Sequence, residues 1–150
     1  MRNEVDDSRR LLHLAYWTGA VVDAAMVVLL LAPGVAGAML GIDGFVPGAD
    51  YRYVAGLCAA LMAGWTALLV WADRDPVARR GILLLTVCPV VLGLAAAGGY
   101  AIHSGLVRPL YLAPTLAIQF GITVLFLAAY RRAYALARQT SARPQPDGLG

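Results

Sequence analysis

Residues 81–107 read GILLLTVCPVVLGLAAAGGYAIHSGLV, without one Asp, Glu, Lys or Arg. Crossing a hydrocarbon core takes roughly 20 predominantly apolar residues. A soluble amphipathic helix would show a polar face at helical spacing, and this stretch has none. It reads as a membrane-crossing helix. Residues 24–42, 53–72 and 109–130 are likewise free of charge. Four such runs in a chain of 150 residues leave little room for anything else. Composition agrees: 60% of the residues are hydrophobic and 14% charged, against about 45–50% and about 25% in soluble domains. The mean hydropathy is +0.69.

The charges between the runs set an orientation. All 12 basic residues are arginine. The net charge of +3 could suit an acidic partner such as nucleic acid, but the arginines flank the apolar runs, which points to the bilayer instead. Arg2, Arg9 and Arg10 precede the first run. Arg74, Arg79 and Arg80 lie between the second and third, and Arg131, Arg132, Arg138 and Arg143 follow the fourth. The other two connections hold Asp43, Asp50 and Arg52, then Arg108 beside His103. Cytoplasmic segments carry the excess of arginine, so both termini and the second connection are expected in the cytoplasm. An even number of crossings agrees. Phe45, Tyr51, Tyr53, Tyr100 and Tyr111 fall near the outer boundary, and Trp71, Tyr130 and Tyr134 near the inner one, where amphipathic rings favour the headgroup level.

The expected architecture is all-α: a polytopic membrane protein with four transmembrane helices in an antiparallel bundle. A cytoplasmic segment covers residues 1–11, the helices cover about 12–32, 51–72, 77–102 and 109–137, and a disordered tail covers 138–150. Pro33-Gly34 breaks or kinks the first helix, and residues 35–42 either continue it or lie in the interface. Pro76 marks a tight turn that favours antiparallel pairing of the second and third helices. Pro89 bends the third. Ser8-Arg9-Arg10-Leu11-Leu12 and Ala36-Gly37-Ala38 imitate an export signal and its cleavage site. A signal h-region spans about 7–15 residues, whereas this apolar stretch is longer and carries Asp23.

Asp23 is the sharpest chemical feature. A carboxylate at mid-membrane costs about 2.5–3.5 kcal/mol on insertion scales, so it faces the bundle interior. Ala15, Gly19 and Asp23 share a helix face, and small residues mark close helix contacts in membranes. In the fourth helix Thr115, Gln119 and Thr123 share a face in the same way. At about 1.5 Å rise per residue, Asp23 above Leu12 and Gln119 above Tyr130 reach similar heights, which predicts an Asp23–Gln119 hydrogen bond. That site is either a protonatable position for a coupling ion or small polar ligand, or a structural bond fixing helix register. Arg52, beside Asp50 at the outer mouth, snorkels to headgroups or reaches toward Asp23. Tyr53 and Trp65 are the other candidate ligand contacts, with core filling the plainer role for Trp65. Gly56, Ala60 and Gly64, and Gly93, Ala97, Ala101 and Gly105, are small-residue stripes suited to close helix contact. Cys58 and Cys88 match no metal or redox spacing, and His13 and His103 sit at opposite membrane faces. No catalytic set, metal site or cofactor is expected.

Leu30 to Pro33, Tyr51-Arg52-Tyr53 with Gly56, and the 73–80 segment with its proline and paired arginines resemble the small four-helix, DoxX-like bacterial membrane proteins. The resemblance covers residues 12–93. It implies a multi-pass protein of the bacterial inner membrane, and some relatives are associated with quinone-linked sulfur oxidation. Asp23 and Gly64-Trp65-Thr66 depart from it. Three roles stay open: an accessory or structural membrane subunit, a small oligomeric transporter or channel using Asp23, and a quinone-linked redox or lipid-handling protein. The first leads, and an enzyme is the less favoured class. The expected partners are the bilayer and either a second copy or another membrane subunit, with no nucleic acid.

Overall fold

The computed structural model describes residues 2–42 and 44–141. Asp43, Arg143 and most of the expected tail lie outside the described residues. The chain is helical throughout, in the order α1 (Arg2–Leu31), α2 (Pro33–Met39), α3 (Ala49–Ala72), α4 (Gly81–Leu85), a π-helical turn (Thr86–Val91), α5 (Leu92–His103) and α6 (Pro109–Ser141). Among the described residues four helical spans are long and apolar enough to cross a membrane: Asp6–Leu31, Ala49–Ala72, Gly81–His103 and Pro109–Arg138.

Prolines and glycines punctuate these helices for separable reasons. Ala32 leaves the helical region (φ −117°, ψ 69°) and Pro33 restarts the helix as α2. A proline at the first helical position loses no hydrogen bond, because that N–H has no intrahelical acceptor anyway. Gly41 ends α2 with φ +66°, and the Tyr111 ring lies where its Cβ would be. Both the left-handed backbone and the close ring demand glycine there. Gly37 receives Phe45, whose ring stands edge-on to Tyr51 at 5.0 Å. Gly37, Gly41 and Phe45 thus bring the segment after α1 against Tyr51 and Tyr111, at the start of the second and fourth spans.

The third span begins at Gly81 rather than Val77, because residues 73–80 are spent on the turn. Asp75 Oδ1 accepts the Ala78 N–H at 3.3 Å, and the chain enters α4 through bonds from Ile82 and Leu83 back to the carbonyls of Arg79 and Arg80. Pro89 sits inside the π-turn. It has no N–H for the carbonyl four residues back, and its ring would strike that carbonyl in a regular helix. Widening the helix by one residue relieves the clash. The first helix also begins ahead of Leu12, at Arg2, and the last continues to Ser141.

α1 is the central element. It packs along α3 and α6, while the third span packs on α6. The expected close pairing of the second and third helices therefore does not form. α3 lies against α1 instead, because Ala15, Gly19 and Ala20 let the two backbones approach. The buried core joins Leu12, Ala15 and Tyr16 of α1 to Leu69 and Ala72, to Leu83 and Val87, and to Phe126 and Ala129. It occupies the half of the bundle that holds the chain ends. Outside it, large apolar side chains such as Leu14, Val21, Leu61 and Phe120 are exposed, as hydrocarbon-facing residues are.

Gly19 carries the tightest test of this packing. A Cβ there would stand 2.6 Å from Phe126 Cζ and 3.1 Å from Leu69 Cδ1, and both of those side chains are fully buried. Gly64 has nothing within 4 Å of the same position. Gly19→Ala is expected to lower stability by about 1–3 kcal/mol through overpacking. Gly64→Ala should stay within about 0.5 kcal/mol. Thermal unfolding in detergent distinguishes the two.

Candidate functional site

The structure buries the α1 face that carries Asp23. Ala15 is fully enclosed, and Asp23 retains 9% of its exposure. Gln119 is half-buried on α6, the helix that packs against α1. The expected hydrogen bond between them is absent. Asp23 Oδ2 and Gln119 Oε1 are both buried without a hydrogen-bond partner. The reason lies in helix geometry. Side chains lean toward their own helix's N-terminus, so on antiparallel helices two residues at one height lean apart. Shared height does not by itself bring two groups together.

Thr123 turns its hydroxyl back to the Gln119 carbonyl at 2.8 Å, a local bond that ties up its proton. Thr115 is half-buried. The sequence-predicted polar layer is thus two buried acceptors on neighbouring helices, with no donor supplied to either. A buried, unpaired polar atom costs about 1–3 kcal/mol. Four kinds of donor answer that deficit: a proton on Asp23, the amide nitrogen of Gln119 if the group is rotated, a water molecule, or a cation.

Arg52 and Tyr53 are exposed near the start of α3, and neither takes part in this layer. Trp65 is held differently. It packs against the buried core, and its indole N–H donates to Thr86 Oγ1 at 3.2 Å. Thr86 in turn donates to the Ile82 carbonyl at 2.9 Å. Thr86 is buried and bridges α3 to the π-turn, where the two spans have few other contacts. The sequence reading did not single it out, since one threonine in a long apolar run carries no periodic signal.

A second polar cluster, also missed, closes the end of the bundle that carries both chain termini. His13 Nδ1 lies 2.6 Å from Asp73 Oδ1. Trp17 donates its indole N–H to Asp73 Oδ2 at 3.1 Å. Tyr16, almost wholly buried, donates to the Arg79 carbonyl at 3.0 Å. The Arg79 guanidinium lies 3.5 Å above the Trp71 ring and bonds the Trp71 carbonyl. Arg80 and Arg138 approach the face of Tyr134 at 5.9 and 5.7 Å. These contacts fasten the 73–80 turn to α1 and α6 and gather most of the arginines at one end. A faint signal existed: His13 and Trp17 stand one helical turn apart, ahead of an acidic turn.

Among the described residues no group of three or more His, Cys, Asp or Glu is placed to hold a metal. Cys58 and Cys88 are unpaired and exposed. No protein-family model, curated protein or solved structure matches the chain.

The Trp65–Thr86 bond yields a measurable consequence. Thr86→Val removes the acceptor and leaves a half-buried indole N–H unpaired, with an expected loss of about 1 kcal/mol, in the range of interhelical bonds in membranes. Trp65 emission, read with Trp17 and Trp71 replaced by Phe, should shift as the indole loses its partner. Unchanged emission and melting would show that the bond has no weight.

Proposed function

We propose that this chain binds a proton or small cation inside the membrane, at Asp23 with Gln119 beside it, and works as a small transporter or channel component. The observation that carries this reading is that Asp23 Oδ2 on α1 and Gln119 Oε1 on α6, the helix packed against α1, are both buried without a hydrogen-bond partner. A purely structural register bond would use one oxygen as acceptor and the other side chain as donor. Here Asp23 Oδ2 and Gln119 Oε1 both stand as unpaired acceptors, which suit a positively charged or proton-bearing occupant. Intramembrane carboxyls of this kind characteristically mark ion and proton pathways.

The proposed setting is a bacterial inner membrane with both termini in the cytoplasm. The gathering of arginines at the end that holds the termini supports that orientation. An alkaline phosphatase fusion at the C-terminus should be inactive in whole cells, and one inserted near Gly44 should be active. The reverse pattern overturns the orientation.

A second reading, an accessory subunit without transport, has its own observation. A Cβ placed at Gly56 or Gly64 on α3 would meet no neighbouring element within 4 Å, and Ala60 is exposed between them. That small-residue face stands open for a second helix.

Asp23 separates the two. Asp23→Asn supplies an N–H donor to the layer and should keep stability. Asp23→Ala should lower it by about 1–3 kcal/mol. In proteoliposomes the transport reading expects both substitutions to bring proton or sodium flux to background. The accessory reading expects the same stability pattern with no flux in the wild type to lose.

A further inference from the structure

A cleft of about 250 Å³ lies between α1 and the 73–80 turn, lined by Arg9, His13, Arg74, Asp75, Pro76 and Val77. Its charges are unevenly spent. Asp73 is occupied by His13 and Trp17, and Asp75 Oδ1 accepts the Ala78 N–H. The Arg9 and Arg74 side chains have no hydrogen bond or ion pair to another described residue, and both residues are exposed. Two guanidinium groups therefore border one cleft without a carboxylate committed to either.

The position of the cleft narrows what would fill it. It lies where the spans Asp6–Leu31 and Ala49–Ala72 meet the turn, at the level marked by Trp17 and Trp71. Rings of that kind settle at the headgroup boundary. Along α1, Arg9, His13, Trp17 and Val21 are each four residues apart and form one stripe. All four are exposed, Trp17 at 54% and Val21 at 62%. The stripe passes from cation through imidazole and indole to aliphatic carbon. That is the order of polarity met along a phospholipid, from phosphate through glycerol ester to acyl chain. A free phosphate would use the arginines alone and leave the lower half of the stripe without purpose. Guanidinium groups match phosphate oxygens in geometry and charge, and basic pockets at a membrane face bind anionic headgroups.

We propose that this cleft is a binding site for one anionic phospholipid, its phosphodiester held by Arg9 and Arg74 and its upper acyl chain lying on Trp17 and Val21. The site is independent of any role for Asp23.

Native mass spectrometry of the full chain in mild detergent, titrated with phosphatidylglycerol or phosphatidylcholine of identical acyl chains, tests it. Phosphatidylglycerol should bind at one molecule per chain, and more tightly than phosphatidylcholine. Arg9→Gln and Arg74→Gln should each weaken it about fivefold, the value of one basic residue at an anionic surface. Arg108→Gln, at the opposite end, should leave it unchanged. Should a glutamine variant melt early, Arg9→Lys and Arg74→Lys keep the charge and should still prefer phosphatidylglycerol to phosphatidylcholine; well-folded lysine variants without that preference overturn the proposal. Equal binding of the two lipids overturns it, as does insensitivity to both arginines. Displacement of the lipid by millimolar inorganic phosphate would assign the site to a free anion instead.

Discussion

A peptide group in hydrocarbon has no water to bond, so each segment that enters the bilayer must satisfy its own N–H and C=O groups. Helices do this and little else can. Much of the architecture follows from that constraint: four long apolar helical spans among the described residues, Pro33 where an N–H is dispensable, Pro89 where the helix widens, and turns confined to the ends. Pro33 sits at the start of α2, where its missing donor costs nothing. Pro89 sits mid-span, and there the helix takes up a π-turn.

Within that frame α1 organises the bundle, and small side chains give it that role. Ala15, Gly19 and Ala20 admit Leu69 from α3 on one side and Phe126 from α6 on the other. Because the hydrophobic effect gives little attraction between helices already in lipid, close packing and polar clasps carry the association. The clasps are unequal. One end of the bundle is fastened by Tyr16 on the Arg79 carbonyl and by His13 and Trp17 on Asp73. Deeper in, Trp65 and Thr86 join α3 to the π-turn. The Asp23–Gln119 layer has no clasp at all.

Much of the fold was legible because bilayer thickness imposes a length on apolar runs and charges cannot hide within them. The uncharged stretch at residues 81–107 and its three counterparts correspond to the four candidate spans. The burial of Asp23 followed from its cost in lipid and from the small residues one and two turns before it. Its partner did not. Heights counted from residue numbers ignore the lean of side chains, which on antiparallel helices points residues of one height in opposite directions. The pairing of α3 with α1 was also illegible. A short turn at Pro76 fixes which helices are consecutive, but the fit of Gly19 against Leu69 and Phe126 decides which ones touch. Thr86 and Asp73 gained their roles from partners 21 and 56 or more residues away, a distance no local pattern spans.

The central place of α1 has a consequence for biogenesis. The ribosome delivers α1 well before α6, so the helix that bears the intramembrane carboxyl enters the bilayer before half of its groove exists. At about 5–20 residues per second the gap between the end of α1 and the start of α6 lasts on the order of 10 s. During it α1 can already meet α3 through Gly19 and Leu69, while the α1 flank that packs on α6 still lacks its partner. Nascent chains stalled before Pro109 would hold that carboxyl against lipid or the insertion machinery, making them natural targets for membrane quality control.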